Sequence, residues 1–187
     1  MPGLIIISAM TTAIQVASPL PPTLQNAYEP TAAHPFGQRN PDAAEALDDY
    51  EFMVGYFACN DVRTNPGQEP VSYSTEVRGQ YYLNGHGFIN HTYSPRGVGV
   101  MTYSWNPAEN AWVVDYTSAP AFARSTWHEV DTGVDGEQAT ETPGGQPGVL
   151  IRSVFHDQSS TGFSWRLDAV TPQGRLTLQT SECRRVI

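Results

Sequence analysis

The chain contains no lysine; all ten of its basic residues are arginines. That excludes Schiff-base chemistry, covalently held pyridoxal phosphate and a lysine-based phosphate loop. A base-composition bias in the coding sequence explains the absence equally well. Positive charge is scarce in general: 19 Asp and Glu leave a formal net charge of -9 over 187 residues. A surface this acidic repels phosphate backbones and anionic lipid, so neither nucleic acid nor a membrane is expected as a partner. There is no Gly-rich phosphate loop, no Gly-x-Ser-x-Gly elbow and no CxxC pair. The five histidines lie apart and form no His-x-His or His-x-x-x-His pair, so no metal and no other cofactor is expected. Long apolar runs are missing too. Gly3-Leu-Ile-Ile-Ile-Ser-Ala-Met10 is too short to span a bilayer. No Lys or Arg precedes it, and Ala17-Ser-Pro19 is a poor cleavage site, so a secretory signal is not expected and a cytoplasmic location is favoured. Met10 is an alternative start.

Cysteine is limited to Cys59 and Cys183, which fall in the first and last predicted strands. In a closed barrel those strands are neighbours, and the thiols can meet in a disulfide. Two unrelated buried thiols are the competing reading. A bridge would argue for an oxidising compartment, although two cysteines do not establish one.

What is present suits one globular domain with a tail: 40% hydrophobic and 16% charged residues. Residues 1–40 are Pro- and Ala-rich without sustained periodicity and are expected to form an extended arm, disordered or draped over the domain. Residues 41–187 form the domain. Pro41–Tyr50 reads as a short helix, with Asn40 as cap, Pro41 in the first position, and Asp42 and Glu45 at the positive end of its dipole. Leu47, Tyr50 and Val54 recur at helical spacing and could plug a barrel end. Strand-like runs follow at about 56–64, 71–83, 87–94, 98–105, 111–118, 122–131, 134–141, 148–157, 162–170 and 174–184. Asn84-Gly85 and Asp135-Gly136 are hairpin signals; Ser94-Pro-Arg-Gly97 and Thr171-Pro-Gln-Gly174 are proline turns closed by glycine. Evenly spaced short strands and a single helix predict an all-β fold, an up-and-down antiparallel barrel or a sandwich, with one short N-terminal helix and an extended arm.

Alternation assigns some faces. Phe163, Trp165 and Leu167 point inward, as do Leu176 and Leu178, and the odd residues Val71–Leu83 share an inward phase. In the middle strands Phe88 and Asn90 compete with Ile89, His91 and Tyr93, and Val113 and Asp115 compete with Trp112, Val114 and Tyr116. Cys183 falls in the outward phase of its strand, so a bridge needs Cys59 outward as well, or a bulge.

The helix followed by Phe52-Met-Val-Gly-Tyr-Phe57, Tyr81-Tyr-Leu-Asn-Gly85, the hairpin Tyr103–Val113 and the closing Cys183-Arg-Arg185 resemble the lipocalin-like domains known as DUF1579, over residues 44–185. More distantly, Gly55-Tyr56-Phe57 is similar to the lipocalin Gly-x-Trp, with Phe57 in the tryptophan's place. The resemblance implies an antiparallel, lipocalin-like β-barrel of about eight to ten strands with an internal pocket, and an arginine, Arg184 or Arg185, packed over that ring. It implies no single activity.

Candidate chemistry rests on strand residues. His128 shares a phase with Phe122, Arg124 and Thr126; if that side is the lumen, His128 is a general acid/base and Arg124 holds a carboxylate or enolate. The rival phase brings Ala123, Ser125, Trp127 and Glu129 inside. His91 and Asp115 are further proton acceptors. Tyr73, Tyr81, Tyr103, Trp127 and Trp165 would wall a pocket for a flat or apolar ligand. The favoured reading is a barrel that binds a small hydrophobic or aromatic molecule and converts it by cofactor-independent cyclase, isomerase or lyase chemistry. The alternatives are a carrier without turnover and an interaction module with a filled lumen; homo-oligomerisation is left open.

Overall fold

Period-two patterning becomes ten strands in a computed structural model that describes residues 26–187. The apolar segment 3–10 and the first 25 residues of the arm lie outside the described residues. The strands are β1 (Gly55–Arg63), β2 (Val71–Tyr82), β3 (Gly87–Ser94), β4 (Gly97–Asn106), β5 (Ala111–Ala119), β6 (Arg124–Val130), β7 (Gln138–Pro143), β8 (Leu150–Ser159), β9 (Gly162–Thr171) and β10 (Gly174–Arg185). Each pairs antiparallel with its sequence neighbours, and β1 pairs with β10, so the sheet closes into a barrel. Closure removes the free edges that an open sheet would expose.

The helix differs from expectation in type and start. It is a 3-10 helix, Glu45–Met53. Asn40 accepts a bond from the Asp42 amide (2.9 Å) and so turns the chain before the helix rather than capping it. With three residues per turn, Leu47, Tyr50 and Met53 stack on one face. All three are fully buried, and Met53 takes the place expected for Val54. They plug one end of the barrel, where Tyr50 meets Tyr103 and Trp112 at ring separations of 4.9 Å each. Phe57, Phe155 and Phe163 continue this packing.

Arg185 seals the same end. Its guanidinium lies 4.7 Å above the Phe57 ring and donates to the carbonyls of Phe52, Val54 and Ser160. Gly55 (φ 143°) leaves room for it, since a Cβ there would meet the guanidinium. Residues 26–40 pack along the β2–β3 turn: the Tyr81 amide donates to the Phe36 carbonyl (2.8 Å) and the Asn40 amide to the Gly85 carbonyl (3.1 Å).

The register decides the ambiguous phases. On β3, Phe88 and Asn90 are buried inside, and His91 and Tyr93 lie outside. On β5, Trp112 and Val114 are inside and Asp115 is exposed. On β10 a bulge between Thr177 and Gln179 shifts the phase. Leu176 is therefore left half-exposed at the open end, and Ser181 and Cys183 turn inward. Cys59 and Cys183 are cross-strand partners and are joined by a disulfide.

Candidate functional site

One end of the barrel stays open, at the turns after β1, β3, β5, β7 and β9. Beneath it lies a cavity of about 410 Å³. Its wall combines two kinds of side chain. Val77, Met101, Trp127, Ile151, Phe155, Phe163, Trp165 and Leu167 form the apolar surface. Asp61, Arg63, Tyr73, Thr75, Arg96 and Gln179 form a polar girdle near the opening. This is the make-up of a small-molecule pocket, apolar walls with a few placed polar groups. The Cys59–Cys183 bridge is part of the wall through Cys183.

Each polar group is held by its strand. Asp61 follows Phe57 and Cys59 in the inward phase of β1 and is only 4% exposed. The hydroxyl of Thr75, two residues beyond its cross-strand partner Tyr73 on β2, donates to its carboxylate. Burial pushes the Tyr73 phenol above its ordinary pKa; Asp61 pushes the same way, while Arg96 and Arg63 oppose. Tyr73 therefore remains a protonated donor at neutral pH. Arg63 donates to Gln179 across the β1–β10 seam (3.4 Å). Trp165 donates to Ser153 (2.7 Å) and Trp127 to Ser125 (2.8 Å), which pins both indoles against the wall. Deeper still, Asn90 donates to the Tyr103 hydroxyl (3.5 Å), and its own carbonyl oxygen is buried with no partner.

The expected site residues divide. Tyr73, Trp127 and Trp165 line the cavity. Tyr81 and Tyr103 are buried in the packed half beneath it, where Tyr81 meets Phe88 in a tilted pair with ring centres 4.9 Å apart. Burial raises the Tyr81 hydroxyl to about 12. The four residues expected to supply acid/base chemistry do not share the lumen. His128 and Arg124 are exposed on the outer face of β6, because Ser125 and Trp127 take the inward phase. Asp115 is exposed on β5 and accepts a bond from Thr126 (2.7 Å). His91 lies outside β3 opposite Arg78; burial, and then that guanidinium, holds it below the usual imidazole pKa. Register thus decides the phases that the sequence left open on β3, β5 and β6, and it places all four on the outer face.

Thr75 lines the cavity as the inward phase of β2 predicts, and Asn90 belongs to the phase of β3 that register turns inward, whereas Asp61, Arg63 and Arg96 are cavity residues that the sequence reading does not single out. The alternation Phe57–Cys59–Asp61 was the available signal, since it continues the phase of an inward ring. Among the described residues, no cluster of His, Cys, Asp and Glu could hold a metal ion.

No protein-family model matches the sequence, and no curated protein matches it. Among solved structures the barrel is similar to a protein of unknown function from the DUF3598 family of Nostoc punctiforme. The TM-score is 0.50 at 16% identity, over 72% of this chain and 48% of that one. The chain thus spans about half the length of that protein, and at this identity the likeness concerns the fold alone. What the comparison and the closed sheet support together is a β-barrel domain.

Proposed function

We propose that the barrel binds one small, largely apolar molecule, taken in through its open end, with the guest's polar end left at the girdle. The observation that carries this reading is the cavity itself: about 410 Å³ of space, apolar in depth and polar at the rim, in a barrel whose other half is packed solid. A filled lumen would instead have pointed to an interaction module. Trp127, Trp165, Phe155 and Phe163 offer flat faces to an aromatic or alicyclic body, and Asp61, Tyr73 and Arg96 offer hydrogen bonds to a head group. Binding without turnover is the simpler form of the proposal, because His128, Asp115, His91 and Arg124 lie outside the cavity.

The test is titration with N-phenyl-1-naphthylamine, a neutral apolar fluorophore. We expect saturable, one-to-one enhancement. Ile151→Trp fills the cavity from β8 and should weaken the probe by at least about fivefold, the affinity equivalent of ~1 kcal/mol of overpacking. Non-saturable uptake, or equal affinity in Ile151→Trp, would remove the proposal.

Conversion of the guest remains a second reading because one carboxylate, Asp61, does face the cavity close to the Tyr73 phenol. Asp61 would accept a proton and Tyr73 would donate one. Mass spectrometry of guests recovered from the protein distinguishes the two forms. A changed guest whose formation stops in Asp61→Asn supports conversion, and an unchanged guest supports the carrier.

A further inference from the structure

Charge is not spread evenly over this acidic chain. The strand ends and turns at the open end (residues 62–72, 93–98, 118–125, 142–151 and 170–176) hold Arg63, Arg96, Arg124 and Arg175 against a single carboxylate, Glu69. The opposite end holds the acidic helix region, with Asp42, Glu45, Asp48, Asp49 and Glu51 and no basic residue between 41 and 55. At the open end Asp61 shares the cavity wall with Arg63 and Arg96, and Arg175 approaches Asp168 at 3.7 Å. Arg124 is exposed.

The same end carries apolar side chains in water. Val71, Tyr93, Val98, Phe122, Leu150 and Leu176 are all exposed, and all sit at the open end of their strands or in a turn there. They come from β2, β3, β4, the β5–β6 turn, β8 and β10, and so surround the opening rather than forming one patch. Phe122 reaches out furthest, 80% exposed, two residues before Arg124. Arginines interleaved with exposed rings and aliphatics suit the boundary between anionic head groups and acyl chains.

We infer that the open end of the barrel docks on an anionic lipid bilayer, with the rim's apolar side chains entering the interface and its arginines meeting the head groups. The net charge argues against this only if it is treated as uniform. Segregation turns the acidic end away from the bilayer and brings the basic end to it. The proposal deepens the reading of the cavity as a guest site. Docked in this way, the opening faces the apolar phase, and a guest passes between bilayer and lumen without crossing water.

Co-sedimentation with phosphatidylcholine vesicles, with and without a minority of phosphatidylserine, tests the docking. We expect binding to the anionic vesicles at low salt, release at high salt, and little binding to phosphatidylcholine alone. Arg124→Gln should weaken partition about fivefold, the equivalent of roughly 1 kcal/mol per arginine near an anionic surface. Phe122→Ser should weaken it further. Arg184→Gln makes the same charge change at the far end and should leave partition unchanged. All three variants should keep N-phenyl-1-naphthylamine uptake and thermal unfolding close to those of the parent, which separates failure of docking from failure of the cavity reading. No partition onto anionic vesicles, equal partition of Phe122→Ser and Arg124→Gln, or a parent dimer that Phe122→Ser dissociates would overturn the proposal.

Discussion

Asp168 points out of the barrel from β9, yet it is fully buried. Its carboxylate accepts from Arg166 (3.0 Å) and from the Thr177 hydroxyl (2.8 Å), and Arg166 also reaches Glu137 (2.8 Å) in the turn before β7. A polar group this dry is accommodated only where its partners replace the lost water. Glu137 shares the Arg166 guanidinium with Asp168. The bond from Arg166 holds its carboxyl below the usual range, against the opposing effect of burial. In acid the unfolded chain therefore takes up the proton first. The contribution of Glu137 is present above the unfolded value near 4.5 and is lost as pH falls through the lower folded value. We expect Glu137→Gln to lower the melting temperature at neutral pH and to flatten its fall below about pH 4.5. Melting followed by circular dichroism across that range checks it, and an unchanged acid slope would refute it.

At the scale of elements, two features shape the site. The first is the seat of the 3-10 helix. Gly79 on β2 faces Met53, and a Cβ at Gly79 would collide with the Met53 carbonyl oxygen. Backbone cannot yield as a flexible side chain does, so Gly79→Ala should push the plug outward. The expected loss is about 1–3 kcal/mol of stability, the range for overpacking, read from urea unfolding. The second is the β10 bulge. One extra residue changes the parity of everything after it. Leu176 is left at the rim, and Gln179, Ser181 and Cys183 become lumen residues. Strand existence and turns were legible because alternation, Asn84-Gly85 and the proline turns are local signals. The bulge was legible only as one of two ways to bring Cys183 to Cys59, because its place, between Thr177 and Gln179, is set by pairing with β9. The short loop-like start of β7, at Gln138 rather than 134, was missed for a related reason: Glu137 is held by a tertiary partner.

For the whole molecule, the disulfide joins the first strand to the last across 124 residues of sequence. In the chain-entropy account, closing a loop of that length removes freedom from the unfolded chain worth roughly 4–5 kcal/mol. Cys59→Ser with Cys183→Ser should therefore lower the melting temperature while leaving the far-ultraviolet circular dichroism of a β-protein. Reduction of the parent should do the same. Loss of β-structure at ambient temperature would show that the bridge is needed for closure itself, and an unchanged melting temperature would show that it contributes nothing. The barrel also sets the polarity of the molecule. Antiparallel strands send alternate turns to opposite ends, and these turns differ in charge.

The amino-acid sequence by itself determined the closed all-β architecture, ten strands in nearly the observed places and a helical plug, because hydrophobic period and turn chemistry act within a few residues of themselves. It placed Tyr73, Trp127 and Trp165 among the candidates for the cavity wall. Tertiary structure alone decided which parity faced inward on β3, β5 and β6. That choice turned His91, Asp115 and His128 to solvent and brought Asn90, Val114 and Trp127 inside. It also decided that a net charge of -9 would leave a basic, apolar rim. The physical reason is common to both: a one-residue shift reverses a strand's faces, and a summed charge carries no position until the chain is folded.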